Sequence, residues 1–152
     1  VAPTECTAGR YLNDDEWVRD MSGPPIEGID HVAVLVESIE AALPYYTDTL
    51  GFTVIADDRV EAVQARLVMM QLGESRLQLV TPIAEGPIAE YLRTHGEGLH
   101  HIALRTTKID DVVNQLSPDV PVRVVRGGQQ RLGGFLPYRP NNVMLEVIEV
   151  EE

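Results

Sequence analysis

The strongest constraint in this chain is an internal repeat. His31-Val32-Ala33-Val34 resembles His101-Ile102-Ala103-Leu104, and eight residues after each histidine comes an isoleucine, Ile39 or Ile109. From these, apolar residues recur at identical helical spacing, Ile39, Ala42, Leu43 and Tyr46 against Ile109, Val112, Val113 and Leu116. A second match follows: Leu77-Gln78-Leu79-Val80 resembles Leu145-Glu146-Val147-Ile148, 47 residues after the first histidine and 45 after the second. Two short matches at nearly one offset identify a duplicated unit. The 152 residues suit a single compact domain, so the two copies are expected to share one core.

Local patterning defines the unit. Ile29–Val36 is apolar and β-branched, as a strand requires. Ser38 can cap the following helix, and Gly51 stands where a terminating glycine belongs. Phe52–Ala56, Ala65–Leu72 and Arg76–Thr81 read as three further strands, the last two joined by a tight turn at Gly73-Glu74-Ser75. Residues 83–98 form a connector with a short helix near Ile88–Thr94. The pattern then returns as a strand at His100–Thr106, a helix capped by Thr107, and strands at Pro121–Val125, near Arg131–Leu136, and at Val143–Val150. The expected fold is α+β: two βαβββ modules, 27–82 and 99–150. Residues 1–26 read as an appendage with a short helix near Asn13–Trp17, ended by Gly23-Pro24-Pro25, outside the domain of residues 27–150.

Duplicated units commonly pack about an approximate twofold axis, which sets equivalent positions face to face. That pairs His31 with His101 and Gln78 with Glu146, all four inside apolar strands. A polar group buried there without a partner costs about 1–3 kcal/mol, and one cation can satisfy four at once. Two imidazoles, a carboxylate and an amide oxygen suit a divalent ion, with Co, Ni, Zn, Mn and Fe all admitted. Strict strand alternation places His100 on the opposite face from His101.

Charge narrows the partners. The net charge of −12 and the absence of a basic stripe argue against nucleic acid. No apolar run approaches the ~20 residues of a membrane span, and the N-terminal residues lack a basic-then-apolar leader pattern. Cys6 is the only cysteine, so an internal disulfide is excluded and a reducing compartment is favoured. The expectation is a cytoplasmic protein acting on a small molecule, without nucleic-acid or membrane partners.

Several stretches resemble the vicinal oxygen chelate superfamily, and within it the methylmalonyl-CoA epimerases. They are Ile29-Asp30-His31-Val32-Ala33, Tyr45-Tyr46 before Leu50-Gly51-Phe52, Leu77-Gln78-Leu79 followed by Pro82, Gly96-Glu97-Gly98-Leu99-His100-His101-Ile102-Ala103, and Val143-Met144-Leu145-Glu146. The resemblance implies that the two modules form a cupped mixed sheet around a central metal site, one divalent ion held by His31, Gln78, His101 and Glu146, commonly in a homodimer. It implies proton exchange beside the carbonyl of an acyl thioester such as a CoA ester, with Glu146 as a proton-transfer group as well as a ligand. Arg139 stands where the family often carries a lysine near the substrate, and Arg66 is the second expected substrate contact. Some relatives carry a further glutamate on the third strand; this chain has Leu67 there, and Glu61 is the nearest acid.

Two other functions use the same residues differently. His31, His101 and Glu146 alone form the two-histidine, one-carboxylate set of non-haem Fe(II) dioxygenases, with Gln78 behind them. The superfamily also includes binding proteins that sequester a drug or natural product between the modules without turnover.

Overall fold

The computed structural model describes residues 23–152; the helix expected near Asn13–Trp17 lies outside the described residues. The first module runs β1 (Gly28–Leu35), α1 (Ile39–Pro44), β2 (Thr53–Val60), β3 (Ala65–Leu72) and β4 (Ser75–Pro82). After α2 (Pro87–His95), the second runs β5 (Gly98–Thr106), α3 (Ile109–Leu116), β6 (Val125–Arg126), β7 (Leu132–Phe135) and β8 (Leu145–Glu149). All eight strands form one mixed sheet in the order β2-β3-β4-β1-β5-β8-β7-β6. The order is a palindrome of the two modules, with β1 and β5 antiparallel at its centre and β4 and β8 parallel to them on either side.

α1 and α3 cover the convex face, whereas α2 packs on the cavity side, its Ile88, Tyr91 and Leu92 against the cluster of Ala33, Leu67 and Val80. Ile39 of α1 packs with Val68, Met70 and Leu79, and Ile109 and Val112 of α3 pack with Leu136 and Val147. Ser38 caps α1 as expected, its hydroxyl accepting from the Ala41 N–H at 3.2 Å. Gly51 takes φ +88, a conformation costly for a residue with a Cβ. Beyond Pro44 the helix widens into one π turn over Tyr45–Thr49. Ile26 packs into the α3 cluster and the Pro25 carbonyl accepts from the Thr106 hydroxyl, which fastens this end of the described chain to the second module. No helix among the described residues is long and apolar enough to cross a membrane.

Two local expectations need correction. Thr107 does not cap α3. The Glu149 carboxylate on β8 accepts from the Ile109 N–H, the Thr106 hydroxyl accepts from Lys108, and Thr107 itself donates to Glu27. The strand expected over Pro121–Val125 shrinks to Val125–Arg126, which pair with Gly133 and Leu132 of β7.

Ile39 and Ile109 are each 1% exposed at equivalent places. Ile39→Ala and Ile109→Ala are each expected to lower unfolding free energy by about 2–5 kcal/mol, read as a lower urea midpoint at constant m-value.

Candidate metal centre

Strand register explains why the polar residues converge. Residues directly opposite one another in a sheet share a face. His31 stands opposite Ala103, and His101 opposite Ala33. Gln78 pairs with the same Ala33, and Glu146 with the same Ala103. All four polar side chains therefore rise from the concave face of the four central strands, around two buried alanines that leave the space between them open.

There, one ligand atom from each of His31, His101 and Glu146 lies within 4.8 Å of the other two. Glu146 Oε2 is 2.8 Å from His101 Nε2 and 3.9 Å from His31 Nε2. Both Nε2 atoms are buried and neither has a partner in hydrogen-bonding geometry. Gln78, 6% exposed, lines the same cavity. Six polar residues are buried among the described residues, and all but Thr106 belong to this cluster. Orphaned nitrogens facing a carboxylate across a shared space are the arrangement a divalent cation would complete, and the mixed N/O donor set fits a first-row ion.

Each histidine is held from behind. Asp30 and His100 are the extra residues of two β-bulges, where pairing steps from Ile29 to His31 against Leu104 and Ala103, and from Ala33 to Val34 against His101 and Leu99. A bulge interrupts strict alternation, so His100 lines the same cavity as His101, contrary to the expectation from strand period. Asp30 Oδ2 lies 2.7 Å from His31 Nδ1, and His100 Nδ1 lies 2.8 Å from His101 Nδ1. Beside an ionised carboxylate His31 Nδ1 must be the donor, which leaves its Nε2 with a lone pair. Burial pushes the Asp30 carboxyl up, but hydrogen bonds from His31 and Arg131 outweigh it and hold the group well below the usual carboxylate range. Burial, then the neighbouring His101, lowers His100 to about 4, so at neutral pH it is uncharged and can accept from His101 Nδ1–H.

The cavity, of about 200 Å³, has largely apolar walls. Val63, Leu67, Val80 and Ile88 come from the first module and its connector, and Val125, Phe135 and Ile148 from the second. Phe135 stands edge-on to His101 with ring centroids 5.0 Å apart. Two glycines keep room: a Cβ on Gly133 would come 2.9 Å from Glu146 Oε1, and one on Gly128 would come 3.3 Å from Leu67 Cδ1. Among the described residues, Glu146 is the one carboxylate on the lining.

The two expected substrate arginines fare differently. Arg66 is turned away. Leu67 faces the cavity, so its neighbour points outward, where Arg66 binds Asp57 at 2.9 and 3.0 Å and pairs with Glu40 of α1. Arg139 is exposed beyond β7, and its charge contributes to lowering His100, which places it on that side of the cup. Glu61 is exposed and pairs with Arg59 at 3.4 Å, off the cavity lining. Arg123 and Arg131, not singled out from sequence, both line the cavity. The signal for Asp30 and His100 lay in the repeat itself, since each directly precedes its histidine; nothing comparable marked Arg131.

The model of the Glyoxalase/Bleomycin resistance protein/Dioxygenase superfamily matches residues 30–132. The chain is 28% identical to Bacillus subtilis protein YqjC over 80% of this chain and 91% of that one. It is 30% identical to the ethylmalonyl-CoA/methylmalonyl-CoA epimerase of Cereibacter sphaeroides, over 69% of this chain and 79% of the relative. Among solved structures, a Streptomyces coelicolor methylmalonyl-CoA epimerase variant in complex with 2-nitronate-propionyl-CoA superposes with a TM-score of 0.73 at 29% identity, covering 82% of this chain and 94% of that one.

His101→Ala is expected to remove most divalent-metal affinity while the far-ultraviolet circular dichroism stays that of the parent. Metal content unchanged from the parent, measured by elemental analysis after dialysis, would contradict the site.

Proposed function

This chain belongs to the glyoxalase/bleomycin resistance protein/dioxygenase superfamily, the vicinal oxygen chelate fold, and from that premise we propose a divalent-metal-dependent epimerase or isomerase. It would exchange the proton α to a thioester carbonyl, with methylmalonyl-CoA or a related 2-substituted malonyl thioester as substrate. The observation that carries this reading is the pair of orphaned Nε2 atoms of His31 and His101 facing Glu146 at the floor of an apolar cavity.

In this reading His31, Gln78, His101 and Glu146 hold the ion. A bound divalent ion supplies electrostatic stabilisation of charge developing on the thioester oxygen. Glu146, the only carboxylate on the cavity lining among the described residues, would take the α-proton from one face as general base, and a second acid would return a proton to the opposite face. The apolar walls exclude water and receive the acyl substituent. Arg123 on the lining and Arg139 beyond β7 place positive charge on the second-module side, where a substrate carboxylate or phosphate would be held. The reading carries with it a functional unit of residues 27–150 and, as in the family, a homodimer.

Metal-loaded protein incubated with methylmalonyl-CoA in deuterated water is expected to incorporate deuterium at the α-carbon, and a chelator-treated control is not. No uptake with metal bound would reject this substrate. Glu146→Gln is expected to lose exchange by about 10²–10⁴-fold while losing much less metal; equal losses would reduce Glu146 to a ligand.

A second reading is favoured by the close grouping of His31, His101 and Glu146 without Gln78, which is the facial triad of non-haem Fe(II) oxygenases. Iron-dependent oxygen consumption on addition of a chelating substrate would select it over epimerisation.

A further inference from the structure

Arg131 belongs to the second module, yet its strongest contacts are with the first. Its Nη1 lies 2.7 Å from Asp30 Oδ1 and its Nη2 3.0 Å from Asp30 Oδ2, a two-pronged pairing between residues 101 positions apart. The Asp30 side chain is 4% exposed and that of Arg131 17%. The same Asp30 Oδ2 receives His31 Nδ1–H at 2.7 Å. Guanidinium, carboxylate and imidazole thus form one chain ending at His31 Nε2, the buried nitrogen that faces Glu146.

We propose that Arg131 is a positioning residue for the metal centre: by clamping both oxygens of Asp30 it fixes the tautomer and the aim of His31. A carboxylate held by a single hydrogen bond can rotate about its terminal torsion. One held at both oxygens by a planar fork cannot, and a lysine cannot reproduce the fork. The bulge at Asp30 brings this carboxylate beside His31 instead of on the far face of β1, so the clamp and the bulge act together. No such clamp holds His101, whose Nδ1 meets the neutral His100; the two ligands are supported by different chemistry at equivalent positions.

Arg131 also ends a short strap. Gln129 and Gln130 take left-handed φ of 56 and 59, the Gln129 N–H donates to Asp58 Oδ2 on β2 at 2.9 Å, and the Arg131 N–H donates to the Gly128 carbonyl. Between these anchors, Gly128 sits where an added Cβ would meet Leu67 and come 3.8 Å from Gln78 Nε2. The clamp therefore fixes His31 from below while its own backbone is fixed by a turn lying against a second expected ligand. This inference rests on the proposed metal centre but on neither the substrate nor the reaction.

The test uses the full chain and two readouts, neither of them activity. In metal-free parent protein, ¹⁵N-resolved histidine spectra are expected to show His31 as the Nδ1–H tautomer with an unprotonated Nε2. In Arg131→Met the signal should become a tautomer mixture, and the dissociation constant for Co(II), by titration calorimetry, should rise about 10- to 100-fold. Arg131→Lys keeps the charge without the fork and should fall between. An unchanged His31 tautomer and a Co(II) constant within twofold of the parent in both variants would overturn the proposal. If the parent binds no Co(II), the metal centre itself fails while the tautomer spectra still decide the role of Arg131. If Arg131→Met does not fold, the comparison is made on Arg131→Lys alone, with the same two outcomes.

Discussion

The pairing of β1 with β5 decides where every polar group in the cup points. Among the described residues these two strands form the one strand-to-strand seam between the modules, and their register sets each histidine opposite an alanine of the other strand. Sliding the seam by one residue would send both histidines to the convex face under the helices. The two bulges refine that register. Each inserts one residue before a histidine, and each inserted side chain turns back to meet the Nδ1 of the histidine that follows. Without a bound ion, two buried ring nitrogens would cost about 1–3 kcal/mol apiece. Gain elsewhere must offset this, and the helix-covered cores of both modules are where the large apolar residues sit.

Much of this was legible in the residues. The repeat implies a twofold relation between the modules, and the antiparallel pairing of the equivalent strands β1 and β5 at the centre of a palindromic sheet agrees with it. β3 matched its expected bounds residue for residue, and β1, β4 and β5 within two residues, since their apolar runs are bracketed by Gly, Pro and Ser. What escaped were features set by tertiary contact. Period-two alternation cannot register a bulge, so it puts His100 on the wrong face and gives no sign of the second polar layer. The α3 cap comes from Glu149, 40 residues further along the chain, and no local pattern announces it. Arg66 was misplaced although alternation with Leu67 determines its side. Its guanidinium answers Asp57 and Glu40 instead of a substrate.

The supports behind the two histidines are equivalent in position and unlike in charge. An ionised carboxylate behind an imidazole makes it a stronger electron-pair donor than a neutral imidazole in the same place does. Duplication supplied two equal frames, and substitution at one bulged position made them unequal. The same divergence separates Gln78 from Glu146. One half of the cup therefore presents a neutral amide, and the other a carboxylate next to the apolar wall formed by Phe135 and Ile148.

The central claim is that residues from β1, β4, β5 and β8 share one ion. X-ray absorption at the zinc edge, on protein loaded with one Zn(II) per chain, tests it most directly. The account predicts two imidazole shells with Zn–N near about 2.0–2.1 Å, the remaining donors being oxygen at about 2.0–2.2 Å, and no sulfur. A single imidazole, or a sulfur shell near about 2.3 Å, would place the metal elsewhere and contradict the account.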